Sequence, residues 1–162
     1  MVAQRALKDT ALAQREETAR QRKQASIDMM VSTSQYRERL KADLPRNDRR
    51  PEIVAAFLQE ADDDPQRLLP LREYLNHLED LAVGVTQGVY DVEIVAILEG
   101  RRIIDAVASY RPYIDRVREE LDRPTIYQDI FDLAEIMKTA VPEADKHREA
   151  SPPSVAKLTT NL

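Results

Sequence analysis

The sequence predicts an all-α protein, an irregular helical bundle with a long, basic N-terminal helix. Three observations carry this expectation. Residues 3–44 contain neither Pro nor Gly. Leu71, Leu75, Leu78, Ala82 and Val85 fall at spacings of 4, 3, 4 and 3, the stripe of an amphipathic helix. The 162 residues hold only 3 Gly, with 9 Pro and 5% aromatics, too little turn chemistry for a hairpin-rich β-protein.

Taken in order, Ala3 to Ala25 is built mostly from Ala, Arg, Gln, Glu, Lys and Leu, all good helix formers. Leu7 and Leu12 fall on different faces, and no apolar stripe persists. A helix there has propensity but little to bury, so residues 1–25 are expected to form an exposed basic arm. From Ile27 the pattern sharpens through Met30, Val31, Tyr36, Leu40 and Leu44; a continuous helix from 3 to 44 would be roughly 60 Å long, far longer than the body it serves. Pro45 to Pro51 reads as a polar connector. Pro51 suits a helix start, and Ile53, Val54, Phe57 and Leu58 share one face. Asp62, Asp63 and Asp64 close that short helix and offer an N-cap before Pro65; they lack the glycine and alternating ligands of a calcium loop.

The central helix is expected from about Pro65 or Pro70 to Gln87, with Gly88 as its left-handed stop. Asp91 can cap a short helix that buries Ile94, Val95, Ile97 and Leu98 and ends at Gly100. Ile103, Ile104, Val107, Tyr110, Tyr113, Ile114, Val117 and Leu121 mark a long helix that Pro112 should bend. Asp122-Arg123-Pro124 is a turn. Ile126, Tyr127, Ile130, Phe131, Ala134 and Met137 form the last core helix, stopped near Pro142. The bundle thus covers residues 26–141, and 142–162 read as a disordered tail.

Charge is divided unevenly. Residues 1–50 hold 12 Lys/Arg against 7 Asp/Glu, a balance of +5, and residues 51–162 hold 12 against 22, a balance of −10. A basic arm on an acidic body can meet phosphate-rich surfaces, or dock on its own body or a neighbour's. With no Cys and 2 His, a disulfide scaffold, thiol nucleophile, zinc finger and iron–sulfur site all lack ligands. No apolar run approaches the ~20 residues of a membrane span, and no leader pattern opens the chain. A soluble, cytoplasmic protein is expected.

The ordered motifs resemble a bacterial and phage family, domain of unknown function 4760. Leu-Asn-His-Leu-Glu-Asp-Leu-Ala-Val-Gly-Val-Thr-Gln-Gly-Val-Tyr-Asp (75–91) carries most of the likeness. Arg-Gln-Arg-Lys-Gln-Ala-Ser-Ile-Asp (20–28), Tyr-Arg-Pro-Tyr-Ile (110–114) and Pro-Thr-Ile-Tyr-Gln-Asp-Ile-Phe-Asp-Leu-Ala-Glu (124–135) agree in order. The resemblance implies an all-helical domain led by a basic, alanine-bearing helix, and it implies no activity. It also implies a hydrophobic segment upstream of the basic stretch. The first 24 residues here are polar, so membrane anchoring does not carry over.

Chemistry is thinly represented. His77, with Glu73 and Asp80 on its helix face, offers a carboxylate–imidazole pair, but no nucleophile accompanies it. A di-iron bundle needs a Glu-x-x-His pair on each of two helices; position 74 is Tyr, and His147 lies in the expected tail. Gly84 and Gly88 do not make a phosphate loop, and Gly84 is expected to permit close helix packing. No catalytic residue, cofactor or metal site is therefore expected.

Asn76 and Glu79, if buried, need partners, and Arg101, Arg102, Tyr110, Arg111 and Tyr113 are the expected ones, as a structural polar network or a pocket. Arg15, Arg20, Arg22 and Lys23 form a basic cluster that reads either as a solvated helix face with intrahelical Glu–Arg pairs or as a candidate partner-binding surface of the arm. Glu16 and Glu17 interrupt it, and no aromatic lies among residues 1–35 for base stacking. The expected function is a non-catalytic helical interaction or assembly module that uses the N-terminal helix for a protein partner or for self-association. The alternative is an accessory factor binding nucleic acid or an anionic membrane surface through the arm.

Overall fold

The computed structural model describes residues 2–45 and 51–150. Within them the chain is all-α, with six helices, one 3-10 turn and no strand. The helices are α1 (Val2–Ser32), α2 (Ser34–Ala42), α3 (Pro51–Asp63), α4 (Leu69–Thr86), α5 (Val92–Glu120) and α6 (Gln128–Ala150), with the 3-10 turn at Pro65–Leu68. Most of the expected connector after Pro45, and residues 151–162 of the expected tail, lie outside the described residues.

The central stripe of α4 is fully buried: Leu71, Tyr74, Leu75, Leu78, Leu81 and Ala82 are each 2% exposed or less. Helices α5 and α6 pair along their length and α6 packs on α4, with Ile103, Ala106 and Ile114 of α5 and Ile130, Leu133 and Met137 of α6 buried in the same core. Helix α2 packs on α4 through Leu40. Burial of such side chains, at roughly 25 cal/mol per Å² of apolar surface, is the main force holding the helices together.

Several expected stops and caps form. Asp64 accepts the Gln66 amide ahead of Pro65, and Asp91 accepts the Ile94 amide at 3.1 Å. Gly88 adopts φ +68° and ends α4 in a Schellman motif, with Gly88 N–H on Val85 O (3.0 Å) and Val89 N–H on Gly84 O (2.9 Å). Helix α5 ends the same way, with Asp122 at φ +50° in the glycine position. Asp is among the few residues that tolerate that region.

The first helix does not run unbroken to residue 44: it breaks at Thr33, whose hydroxyl donates to Met29 O at 2.7 Å beside its own amide. Three expectations are corrected. The pattern from Ile27 is only half inward, since Val31 is 68% exposed while Met30, Leu40 and Leu44 are buried. Gly100 does not end a short helix. It lies inside the single helix α5, where an added Cβ would collide with the Val141 methyl of α6, and continuity through it leaves Ile97 and Leu98 exposed. Finally, α6 starts at Gln128 rather than at Ile126 and carries Pro142 in its interior to Ala150, with Val141 and Ala144 buried against the body.

Gly84 has a packing reason: a Cβ there would overlap the Tyr90 ring, which folds back over α4. Helix propensity alone predicts that Gly84→Ala stabilises by about 1 kcal/mol. We expect a loss of about 1–3 kcal/mol in urea unfolding instead, as for an overpacked site, with recovery when Tyr90→Ala is added.

Candidate functional site

A groove of about 730 Å³ opens between α3, the start of α4, the end of α5 and the turn that leads into α6. Its apolar wall is formed by Leu68, Val117, Leu121 and Ile126, and its polar groups include Arg72, Asn76, Glu79, Arg116 and Tyr127. Residues 72, 76 and 79 share one face of α4 because they are four and three apart.

Asn76 and Glu79 are hydrogen-bonded, but not to the partners expected for them. Asn76 Oδ1 accepts the Tyr127 hydroxyl at 3.0 Å, and Glu79 Oε2 accepts the Ile130 amide at 3.0 Å. Glu79 therefore caps α6 from a neighbouring helix, satisfying an amide the first turn leaves unpaired. Burial pushes its carboxyl up from the ordinary value, and the Ile130 and Asp129 amides pull the other way. Tyr127, at φ +59°, is held in a region that L-residues rarely adopt. Its neighbour Ile126 is fixed through its carbonyl, which accepts Arg118 Nε at 2.8 Å.

The expected partners are dispersed. Arg101 pairs with Asp145 at 2.6 Å and Arg102 with Glu99 at 2.9 Å. Tyr110 donates to Pro45 O at 3.1 Å, while Arg111 pairs with Asp115 and lies over the Phe131 ring. Tyr113 alone joins Asn76 and Glu79 in lining the groove, where the Arg116 guanidinium lies over its ring.

A second polar centre has no counterpart in the sequence reading. Arg37 of α2 and Glu99 of α5 form an ion pair in the interior, at 7% and 6% exposure. Arg37 Nη2 also donates to Met30 O at 2.7 Å, and Arg102 gives Glu99 a second, outward-facing cation. The signal was present only as charged residues at helical spacing, indistinguishable from a solvated face. His77 lies nearby, its ring edge-on to Tyr36 with centroids 6.3 Å apart and its Nε2 buried without a hydrogen-bond partner. The carboxylate–imidazole pair is not formed, because Glu73 accepts the Tyr36 hydroxyl instead. Burial first, and then the Arg37 guanidinium, hold the His77 imidazole below its ordinary 6.5.

The arm is exposed at every residue from 8 to 24. Its anchor begins at Ser26, 1% exposed, whose hydroxyl donates to Arg22 O and accepts the Asp91 amide at 2.7 Å. Lys23 reaches Glu93 at 3.3 Å, and Glu93 also meets His147 of α6 at 3.2 Å. Of the expected basic cluster, Lys23 thus belongs to the root, and Arg20 pairs with Glu17 within the helix at 3.0 Å. Arg15 and Arg22 make no side-chain hydrogen bond or ion pair among the described residues.

Among the described residues, no three His, Asp or Glu are grouped to hold a metal ion, and no helix is long and apolar enough to cross a membrane. A family model described as a domain of unknown function (DUF4760) matches residues 2–137. No curated protein and no solved structure matches the chain.

Two outcomes follow from the Arg37 centre. Arg37→Met leaves the interior carboxylate of Glu99 with only the outward-facing Arg102 and should cost up to about 3–5 kcal/mol in urea unfolding, whereas adding Glu99→Leu should restore most of that loss. For His77, the folded chain binds fewer protons than the unfolded chain below 6.5. Stability is therefore full above that value and declines as pH falls toward the depressed folded pKa. Melting curves of His77→Asn should lack this decline.

Proposed function

Because the chain belongs to the DUF4760 family, a family defined without an activity, we propose from its geometry that it is a non-catalytic helical module for protein interaction or assembly, reaching its partner through α1. The observation that carries this reading is the uncovered stretch of α1 from 8 to 24, continuous with an anchored root.

An isolated helix of that length is marginal in water, and nucleation is its unfavourable step. The root from Ser26 onward supplies the nucleus, so the stretch before it extends an existing helix for about 25 Å at 1.5 Å per residue. The docked line through Met30 and Ser26 continues outward through Arg22, Ala19, Arg15, Leu12 and Lys8 at alternating spacings of 3 and 4. The seam that holds the root to the body thus runs past the body's edge, with small and apolar residues alternating with cations. A partner that continues the seam needs an acidic, shallow helical face. The acidic body of a second copy and a foreign protein both meet that description.

Arg15 and Arg22, with their charges uncompensated, also favour the alternative reading of a nucleic acid or anionic lipid surface. The body's balance of −10 opposes it. Gel shift and vesicle flotation across a salt series separate the two readings: retention at low salt that falls steeply with added salt supports the alternative.

The main reading is checked by light scattering and by photo-crosslinking from position 15 in host extract, with full-length protein and an Ala19→Glu variant. We expect an arm-dependent, salt-sensitive assembly or a discrete crosslinked protein, weakened in the variant. A full-length protein that stays monomeric at every salt concentration and yields no crosslink overturns it.

A further inference from the structure

We propose that the groove beside α4 binds a small amphiphilic carboxylate, with its apolar part against Leu68, Val117, Leu121 and Ile126 and its carboxylate on Arg72 and the Asn76 amide. The argument rests on which polar groups of the groove are already satisfied.

Its acceptors are engaged. Glu79 accepts the amide at the start of α6, Asp62 is paired with Arg116 at 2.5 Å, and Glu120 lies 3.8 Å from the same guanidinium. The Asn76 carbonyl oxygen takes the Tyr127 hydroxyl. Its donors are left over. Arg72 makes no hydrogen bond or ion pair among the described residues, yet its charge acts on the Tyr127 phenol, which places it near that end of the groove. With its oxygen occupied, Asn76 retains an NH2 group with two N–H donors. Arg72 and Asn76 are one helical turn apart on the same face of α4, and both are exposed, so a guanidinium fork and an amide NH2 present their donors along the open edge of the groove. That set matches a carboxylate, whose two oxygens accept from a guanidinium and a second donor at once.

The remainder of the lining is apolar. Leu121 is 58% exposed at the rim, and the volume is within the range of small-molecule sites. The shape thus calls for a hydrocarbon or aryl group bearing one anionic end. The lining holds three carboxylates and two guanidinium groups. Of these charges only Arg72 has no partner among the described residues, so a carboxylate gains an ion pair there that an amine or an uncharged alcohol does not.

Titration calorimetry with octanoate, octylamine and octanol, on the full chain, tests the assignment. Octanoate should bind, with the Asn76 side-chain amide shifting in 15N NMR spectra, and the other two should bind at least about tenfold more weakly. Arg72→Gln should weaken octanoate about tenfold or more, the scale of a lost charge-assisted hydrogen bond. Leu121→Asp, a change at an exposed position that places a carboxylate on the rim, should do the same. Lys138→Gln, a cation outside the groove, should have no effect. Circular dichroism confirms that each variant is folded. Equal binding of octanoate and octylamine, an unshifted Asn76 amide, or full affinity in Arg72→Gln would overturn the proposal.

Discussion

Arg37 carries a permanent charge into the interior, where Glu99 and the Met30 carbonyl are placed to compensate it. A buried guanidinium has no low-cost alternative to its partners, because desolvating an ion costs several kcal/mol that only close, hydrogen-bonded charges offset. Each partner belongs to a different helix. Glu99 fixes α2 against α5, and Met30 O fixes the last turn of α1 against α2. These contacts lie beside the break at Thr33, and Ser26 and Lys23 then hold α1 to the start of α5. Loss of either Arg37 contact leaves a charge or a carbonyl unpaired, so the pair specifies a geometry more than it adds net stability.

A similar reciprocity organises another face of α4, where Arg72, Asn76 and Glu79 line the groove. The first turn of α6 has no capping side chain of its own in Tyr127, and the carboxylate of Glu79 satisfies it across the helix interface. The chain enters that turn through two left-handed residues, Asp122 and Tyr127, with the intervening carbonyl of Ile126 held by Arg118. Phe131 is then covered by two guanidinium groups of α5, at 5.0 and 4.8 Å from the ring centroid. The turn is held from three sides, and the groove beside it is a consequence of that rigidity.

The arm and the groove offer different chemistry. In the arm, a helix with high propensity and little apolar surface extends from a root held by Ser26 and Lys23. In the groove, the exposed side chains of Arg72 and Asn76 lie beside an apolar wall.

Much of the scaffold was legible in local sequence. The 3-4 stripe of α4, the caps at Asp64 and Asp91, the glycine stop at 88 and the poverty of the arm's apolar face are short-range features, set by residues within a turn or two of each other. So was the likeness to the DUF4760 family. What failed locally failed for one physical reason: the deciding contact lay far away in the chain. Gly100 reads as a stop until Val141 fills the space a Cβ would take, and Pro142 reads as an end until Val141 and Ala144 bury against the body. Asn76 and Glu79 were identified as needing partners, but the partners were chosen from the cations and phenols of α5, whereas the tertiary fold supplied Tyr127 and a backbone amide. Arg37 and Glu99, 62 positions apart, could not be told from surface charges, because burial is a property of the assembled helices and not of spacing. Sequence by itself determined which segments are helical and which of them lack a face to bury; only the packing of those helices decided which charges are interior, which donors remain free, and where α1 points.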